Sequence, residues 1–227
     1  MPLKDPISFF SRWPFLRALR NRLRRMIPAH SGHPKLKMQV LETERLVLRK
    51  FSQEDLKDII AWEEAPSAQD AEAQAQEFLN YCFREYRGWG IGPWGMQLKD
   101  TRVIVGNCGF PDIIFKSLCG EVNYYVAPKH RGQGLALEAL QALLKFGFRD
   151  IGLTRIQARC TVDNLSSERV MQKAGMRFEG LIENAASSKD PGPKQKLYAI
   201  LGKDFDLMTT GAPDCSNHAT PPSEDRG

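Results

Sequence analysis

Tyr124-Tyr-Val-Ala-Pro-Lys-His-Arg-Gly-Gln-Gly-Leu-Ala136, continuing as an apolar, helix-like run to Lys145, is the stretch that decides the fold. Val122, Tyr124, Tyr125 and Val126 are β-branched or aromatic and read as a strand that stops at Pro128. A basic, glycine-rich turn therefore joins a strand directly to a helix. At a helix start the leading N–H groups, here those of Gly132, Gln133, Gly134 and Leu135, have no intrahelical acceptor, and the macrodipole adds partial positive charge. Such a turn suits an anion, phosphate above all. Gly132 and Gly134 would let a bulky diphosphate reach the main chain, with Lys129, His130 and Arg131 adding charge around it. Glycines at a strand-to-helix turn also serve tight packing, and both uses stand at this point. No Gly-Lys-Ser/Thr closes the turn and the three-glycine dinucleotide spacing is missing, so neither of those phosphate motifs applies.

The 227 residues, 42% of them hydrophobic, suit one globular domain with appendages. The formal charge of +5 is not a property of that domain. Residues 1–38 hold nine Lys/Arg against one Asp, which leaves 23 basic and 26 acidic residues in 39–227. A mildly acidic body argues against general nucleic-acid binding, and DNA is not an expected partner. Cys82, Cys108, Cys119, Cys160 and Cys215 are scattered without a Cys-x-x-Cys and read as reduced thiols of a cytoplasmic protein. His30 and His33 lack neighbouring ligands for a four-coordinate zinc site, so no metal is expected.

Residues 8–27 are basic and amphipathic, with Phe15, Leu16, Leu19, Leu23, Met26 and Ile27 at helical spacing and Arg17, Arg20, Arg22, Arg24 and Arg25 between them. They read as an arm that docks on its own domain, as a helix that contacts an anionic membrane or RNA, or as an organellar transit peptide. No run approaches the ~20 apolar residues of a membrane span. A linker runs from Pro28 to Pro34, the domain covers 39–208, and 209–227 has the composition of a disordered tail. Within the domain, strands are expected at 44–50, 94–98, 103–110, 121–126, 156–162, 177–182 and 196–201. Helices are expected after Ser52 and Ser67, after Gly134, and from Asn164 to Gly175, which is the C′ residue. The stretch from Pro111 to Gly120 has no clear reading. The order β-α-α-β-β-β-α-β-α-β-β is that of an α/β (α+β) fold with a central sheet of six to seven strands flanked by helices.

Three of these segments together resemble the GNAT superfamily of N-acyltransferases. Arg131-Gly-Gln-Gly-Leu-Ala136 is similar to its Arg/Gln-x-x-Gly-x-Gly/Ala pyrophosphate loop. Asn164-Leu-Ser-Ser-Glu-Arg-Val-Met-Gln-Lys-Ala-Gly-Met-Arg-Phe-Glu-Gly180 is similar to its second motif. Thr43-Glu-Arg-Leu-Val-Leu-Arg49 opens the domain as in the ribosomal-protein N-terminal (alanine/serine) acetyltransferase branch. The resemblance covers about 40–206 and implies a strongly twisted sheet and acetyl-CoA as co-substrate. It places the diphosphate on Arg131, Gly132, Gln133, Gly134, Leu135 and Ala136. The pantetheine arm would lie on main chain of Tyr124, Tyr125 and Val126, in a wedge where a bulged strand 121–126 splays from 156–162. Asn164 would hold the pantetheine amide and Ser167 would sit near the sulfur.

The same resemblance assigns Glu121 as the general base, acting through water, with Glu179 and Glu183 as weaker candidates. A structural ion pair is the competing use of Glu121. Many relatives protonate the leaving thiolate with a tyrosine of the second-motif helix. Val170 and Met171 stand there instead, which leaves Ser167 or water for that task. Trp89, Trp94 and Glu183 are candidate acceptor contacts, with a loop at Ser187–Lys194 beside them. The implied reaction is direct attack of a primary amine on the bound thioester. A protein N-terminal α-amine is the expected acceptor, with a small-molecule amine, an antibiotic included, as the alternative. A non-catalytic acyl-CoA-binding module is the reading outside the enzyme class. Either a monomer or a homodimer is compatible with the chain.

Overall fold

The computed structural model describes residues 36–62, 67–184 and 192–210. The basic arm to residue 35, the His30/His33 pair, most of the expected acceptor loop, Cys215 and the tail beyond 210 lie outside these residues.

One eight-stranded sheet organises the chain, in the order β1-β2-β3-β4-β5-β6-β8-β7. Its strands are β1 (Leu41–Glu42), β2 (Leu46–Arg49), β3 (Trp94–Leu98), β4 (Ile104–Ile114), β5 (Cys119–Val126), β6 (Arg155–Thr161), β7 (Arg177–Asn184) and β8 (Gly192–Leu201). The helices are α1 (Leu56–Ile60), α2 (Ala68–Trp89), α3 (Leu135–Phe146), α4 (Leu165–Lys173) and α5 (Gly202–Thr210). Only β5 and β6 run parallel, joined across one face by α3. On the α1/α2 face Phe51, Ile59, Trp62, Phe78, Leu79 and Cys82 form a buried cluster. On the other, the leucines of α3 pack with Trp94, Met96, Val122, Ile156, Met171 and Ile200.

Local chemistry sets the element ends. Ser52 and Asp55 form a capping box before α1, and Ser67 Oγ accepts from the N–H of Asp70 at the start of α2. Gly90 ends α2 and Gly175 follows α4, both at positive φ. The expected six to seven strands become eight because Leu41–Glu42 pairs with Val47–Leu48 ahead of the first expected strand. The unread Pro111–Gly120 stretch proves to be the end of β4, a turn and the start of β5. Pro111 is tolerated because it falls at a register shift, where β4 carries one more residue than β5 between Gly109 and Asp112. The bulge expected within 121–126 thus belongs to the neighbouring strand. Helix α5 has no counterpart among the expected elements, since it is short and Phe205 is its one buried anchor among the described residues.

Helix α3 begins without a side-chain cap, its N-cap being Gly134 at φ 81°. A glycine at the N-cap in place of a capping side chain costs only a few tenths of a kcal/mol, roughly. Leu135, Leu140, Leu143 and Leu144 are each at most 2% exposed, and burying each contributes about 1.5–3 kcal/mol. Packing therefore outweighs the open end, and the N-terminus of α3 is left for another partner.

Candidate active site

The turn between β5 and α3 has the form of an anion cradle. Gly132 and Gly134 take φ 77° and 81°, and the first main-chain bond of the helix is from Glu138 N–H to the Gly134 carbonyl, at 3.1 Å. The amides before it, through Leu135 and Ala136, are those a helix start leaves for a ligand. No Cβ-range neighbour stands at Gly132, so the approach to the main chain there is open. Arg131 Nε donates to the Val126 carbonyl at 2.9 Å, and its guanidinium lies 5.6 Å from the Tyr125 ring centroid. Arg131 thus joins the turn to the end of β5.

From that turn β5 runs back along a wedge. It pairs with β6 only over Cys119–Glu121 against Arg155–Gln157, after which the two strands part. The β6-facing side of Val122–Val126 is the main chain on which a pantetheine arm could bond. Gly106 in β4 supports this strand closely, since a Cβ there would run into the Tyr125 carbonyl. Tyr124 spans the wedge by another route: its hydroxyl donates to the Ser167 carbonyl in α4 at 3.0 Å. Burial raises the Tyr124 pKa, with the Ser167 contact opposing, so the phenol stays a donor at neutral pH.

At the base of α4, Asn164 Oδ1 accepts from Ser167 N–H at 3.0 Å and from Ser166 Oγ at 2.8 Å. That oxygen is committed to capping, which leaves the amide NH2 as Asn164's offer to a ligand. Met171, where the resemblance has a tyrosine, is fully buried in the core. It contributes packing rather than a proton.

Glu121 is the last residue of β5 paired to β6, at the point where the wedge opens. Its carboxylate lies 2.8 Å from Arg159 Nη2 and accepts from Gln157 Nε2 at 3.2 Å. Asp112 is its register partner on β4. Burial raises the Glu121 pKa, Arg159 and Gln157 oppose this, and Asp112 adds to it, with a net shift upward. The ion pair and the raised proton affinity coexist. A half-buried carboxylate of this kind can take a proton from an ammonium group and pass it through water.

The α2 side offers an open hollow of about 250 Å3 bounded by Tyr81, Glu85, Gly92, Pro93, Gly109, Phe110, Pro111 and Asn123. Asn123 belongs to the wedge strand, two residues beyond Glu121. A second hollow of about 360 Å3 shares Glu85 and Phe110 and extends to Leu36, Trp89, Ile91, Ile113 and Phe115. Through Asn123 the first borders the wedge strand, and through Glu85 and Phe110 the second adjoins the first, which makes an approach to that strand. Trp89 lines this approach. Trp94 does not: it is fully buried, its indole N–H donates to the Gln39 carbonyl at 2.8 Å, and its ring meets Phe146 edge-on. The expectation of a substrate contact there is corrected, because its apolar area completes the α3-side core. Glu183 is exposed on the edge strand β7, 3.9 Å from Lys194 Nζ. Three strand spacings, about 14 Å, separate it laterally from β5, so it shares no wall with Glu121. Glu179 is held in a bidentate pair by Arg155.

Thr43, Arg45 and Glu138 also reach the cradle; all three lie in segments the sequence singles out, but nothing local in the sequence links them. The described cysteines, Cys82, Cys108, Cys119 and Cys160, are free. Among the described residues no group of three or more His, Cys, Asp or Glu could hold a metal, and no helix is long and apolar enough to cross a membrane.

Known proteins are similar to this chain in sequence and fold. The family model described as the acetyltransferase (GNAT) domain matches residues 45–177. The uncharacterized N-acetyltransferase YoaA of Bacillus subtilis is 31% identical over 174 residues, 71% of this chain and 96% of that protein. The ribosomal-protein-serine acetyltransferase of Escherichia coli is 31% identical over 112 residues, 49% of this chain and 62% of its own length. The crystal structure of a GNAT-family acetyltransferase from Bacillus anthracis superposes with a TM-score of 0.59 at 28% identity, covering 73% of this chain and 99% of that one.

Proposed function

The chain belongs to the GNAT acetyltransferase family and is an N-acetyltransferase, and on that premise we propose that it moves the acetyl group of acetyl-CoA to the α-amine at a protein N-terminus. The observation that carries the donor half is the departure of β5 from β6 immediately after Glu121, on a strand that ends in the glycine cradle. The diphosphate lies on the amides from Gly132 to Ala136 beside Arg131, and the pantetheine follows Tyr124–Val126 toward Asn164 and Ser167. The neutral amine attacks the thioester carbonyl, main-chain N–H groups of β5 stabilise the oxyanion, and the C–S bond breaks to release coenzyme A. Glu121 receives the proton lost by the amine, and the thiolate takes one from Ser167 or water.

The acceptor half rests on the similarity to the Escherichia coli ribosomal-protein-serine acetyltransferase and on the two hollows that share Glu85 and Phe110. An N-terminus entering past Trp89 would bring its amine over Asn123 to Glu121. The reaction needs no metal, and we place the enzyme in the cytoplasm, acting as a monomer or homodimer. Labelled acetyl-CoA incubated with protein N-terminal peptides, polyamines and aminoglycosides, with products read by mass spectrometry, tests the acceptor. Acetylated peptide α-amines are the expected result. Exclusive labelling of small amines would replace the acceptor, and coenzyme A binding without release under any acceptor would make the chain a binding module.

A further inference from the structure

We propose that Arg45 is a positioning residue for the coenzyme's diphosphate: it fixes the peptide unit between Gln133 and Gly134 so that the cradle's amides face the anion. Arg45 lies 88 residues before Gln133, yet its Nη1 donates to the Gln133 carbonyl at 2.8 Å. The guanidinium is itself held by Glu138 in the first turn of α3. Nε and Nη2 each lie 2.7 Å from Glu138 Oε2, and the Arg45 backbone N–H donates to Oε1, also at 2.7 Å. Thr43 completes the set, donating from Oγ1 to Glu138 Oε1 at 2.5 Å and accepting from Leu46 N–H at 2.9 Å.

The need for such a clamp follows from the glycines. Gln133 sits between Gly132 and Gly134, whose backbones turn at low cost, so the intervening peptide unit has little torsional reason to keep one orientation. In a planar trans peptide the C=O and the following N–H point in opposite directions. Anchoring the Gln133 carbonyl on Arg45 therefore aims the Gly134 N–H to the other side. Arg45 Nη2 also lies 3.4 Å from where a Cβ on Gly134 would stand, which places the guanidinium against the back of the turn. A donor set held before the ligand arrives avoids an ordering cost on binding. The Thr43-Glu-Arg45 segment thereby acquires a task at a turn remote from it in sequence.

The inference rests on the acetyl-CoA assignment, and the test separates the two. Coenzyme A binding to the full-length protein is measured by titration calorimetry for the wild type, Arg45→Lys, Thr43→Val and Glu138→Gln. Lysine keeps the charge but cannot reproduce the two-sided fork. A positioning role gives Arg45→Lys a Kd raised about tenfold, roughly 1.4 kcal/mol, and weakens binding in Glu138→Gln as well. An arginine that served only as a charge for phosphate would leave the lysine variant near wild type, and Glu138→Gln would tighten binding by releasing the guanidinium. Either result overturns the proposal. Turnover with S-acetylpantetheine, which has no diphosphate, gives the second readout. Its kcat/KM should be unchanged in Arg45→Lys while that of acetyl-CoA falls, and an equal loss with both donors would make Arg45 a general support of the fold. Thr43→Val, nearly isosteric, carries the same comparison if the Arg45 variants do not fold. Wild-type protein that binds no coenzyme A would overturn the donor assignment and this inference with it, whereas normal wild-type binding with an unaffected Arg45→Lys removes the inference alone.

Discussion

A carboxylate that receives a proton from an ammonium group works best when its own proton affinity is raised, and at Glu121 burial and Asp112 outweigh Arg159 in that direction. The ionised form is the base, so kcat/KM should rise with pH through an inflection above the ordinary carboxylate range. Glu121→Gln should remove that limb and lower turnover about 10²–10⁴-fold, mainly below the acceptor's own pKa, where little neutral amine is present. An unchanged pH–rate profile in this variant would take Glu121 out of the reaction. Tyr124→Phe tests a neighbouring contact. It deletes one hydrogen bond across the wedge, expected to cost about 0.5–1.5 kcal/mol in a denaturation experiment. Glu121 was legible in the sequence as a residue at the head of a strand, but its surroundings were not. Gln157 and Arg159 come from a strand joined through a helix, and Asp112 from a stretch whose proline hid its strand character. Trp94 failed for a related reason: residue type suggests an aromatic contact, while burial, which decides between substrate and core, depends on what covers the strand.

The cradle and the start of α4 show what each element end contributes. Gly134→Glu would place a side chain at φ 81°, beside the amides proposed to hold the diphosphate, and add a negative charge there. Coenzyme A affinity should fall by more than about 100-fold, which corresponds to roughly 2.7 kcal/mol, and near-normal binding in calorimetry would contradict the cradle. Asn164→Ala removes the cap of α4, with an expected loss of about 1 kcal/mol in stability and a larger KM for acetyl-CoA. Most elements could be read because their signals are local: Ser52 with Asp55, Ser67 with Asp70, and Gly175 after α4 each mark an end within a few residues. The two-residue β1, the last part of β4 and α5 escaped because their stability comes from other parts of the chain. Leu41 and Glu42 extend only because β2 pairs with them, and α5 is held chiefly by Phe205 against the core.

Across the whole molecule, carboxylates tied to arginine set the response to acid. Burial would raise Asp55 and Glu138, but hydrogen bonds from Arg49 and Ser52, and from Thr43 and Arg45, hold both pKa values below their usual range. Their folded-state pKa values lie below the unfolded ones, so the stability they contribute is present above the unfolded values and is lost as pH falls through the folded ones. These two contributions should therefore stay level from neutrality to about pH 4, the ordinary carboxylate range, and be lost below it, lowering the thermal midpoint. The drop should be shallower in Glu138→Gln, whose midpoint at neutrality is already lower. The strand order has a different consequence, which falls on synthesis. β8, the last made of the described strands, lies between β6 and β7, so a nascent chain that has emerged only as far as Asn184 has both of those strands without their common neighbour. Until residue 201 clears the ribosome, two rows of main-chain donors and acceptors stand open to other nascent chains. Chaperone occupancy should peak in that interval, and ribosome profiling of chaperone-bound nascent chains would locate it.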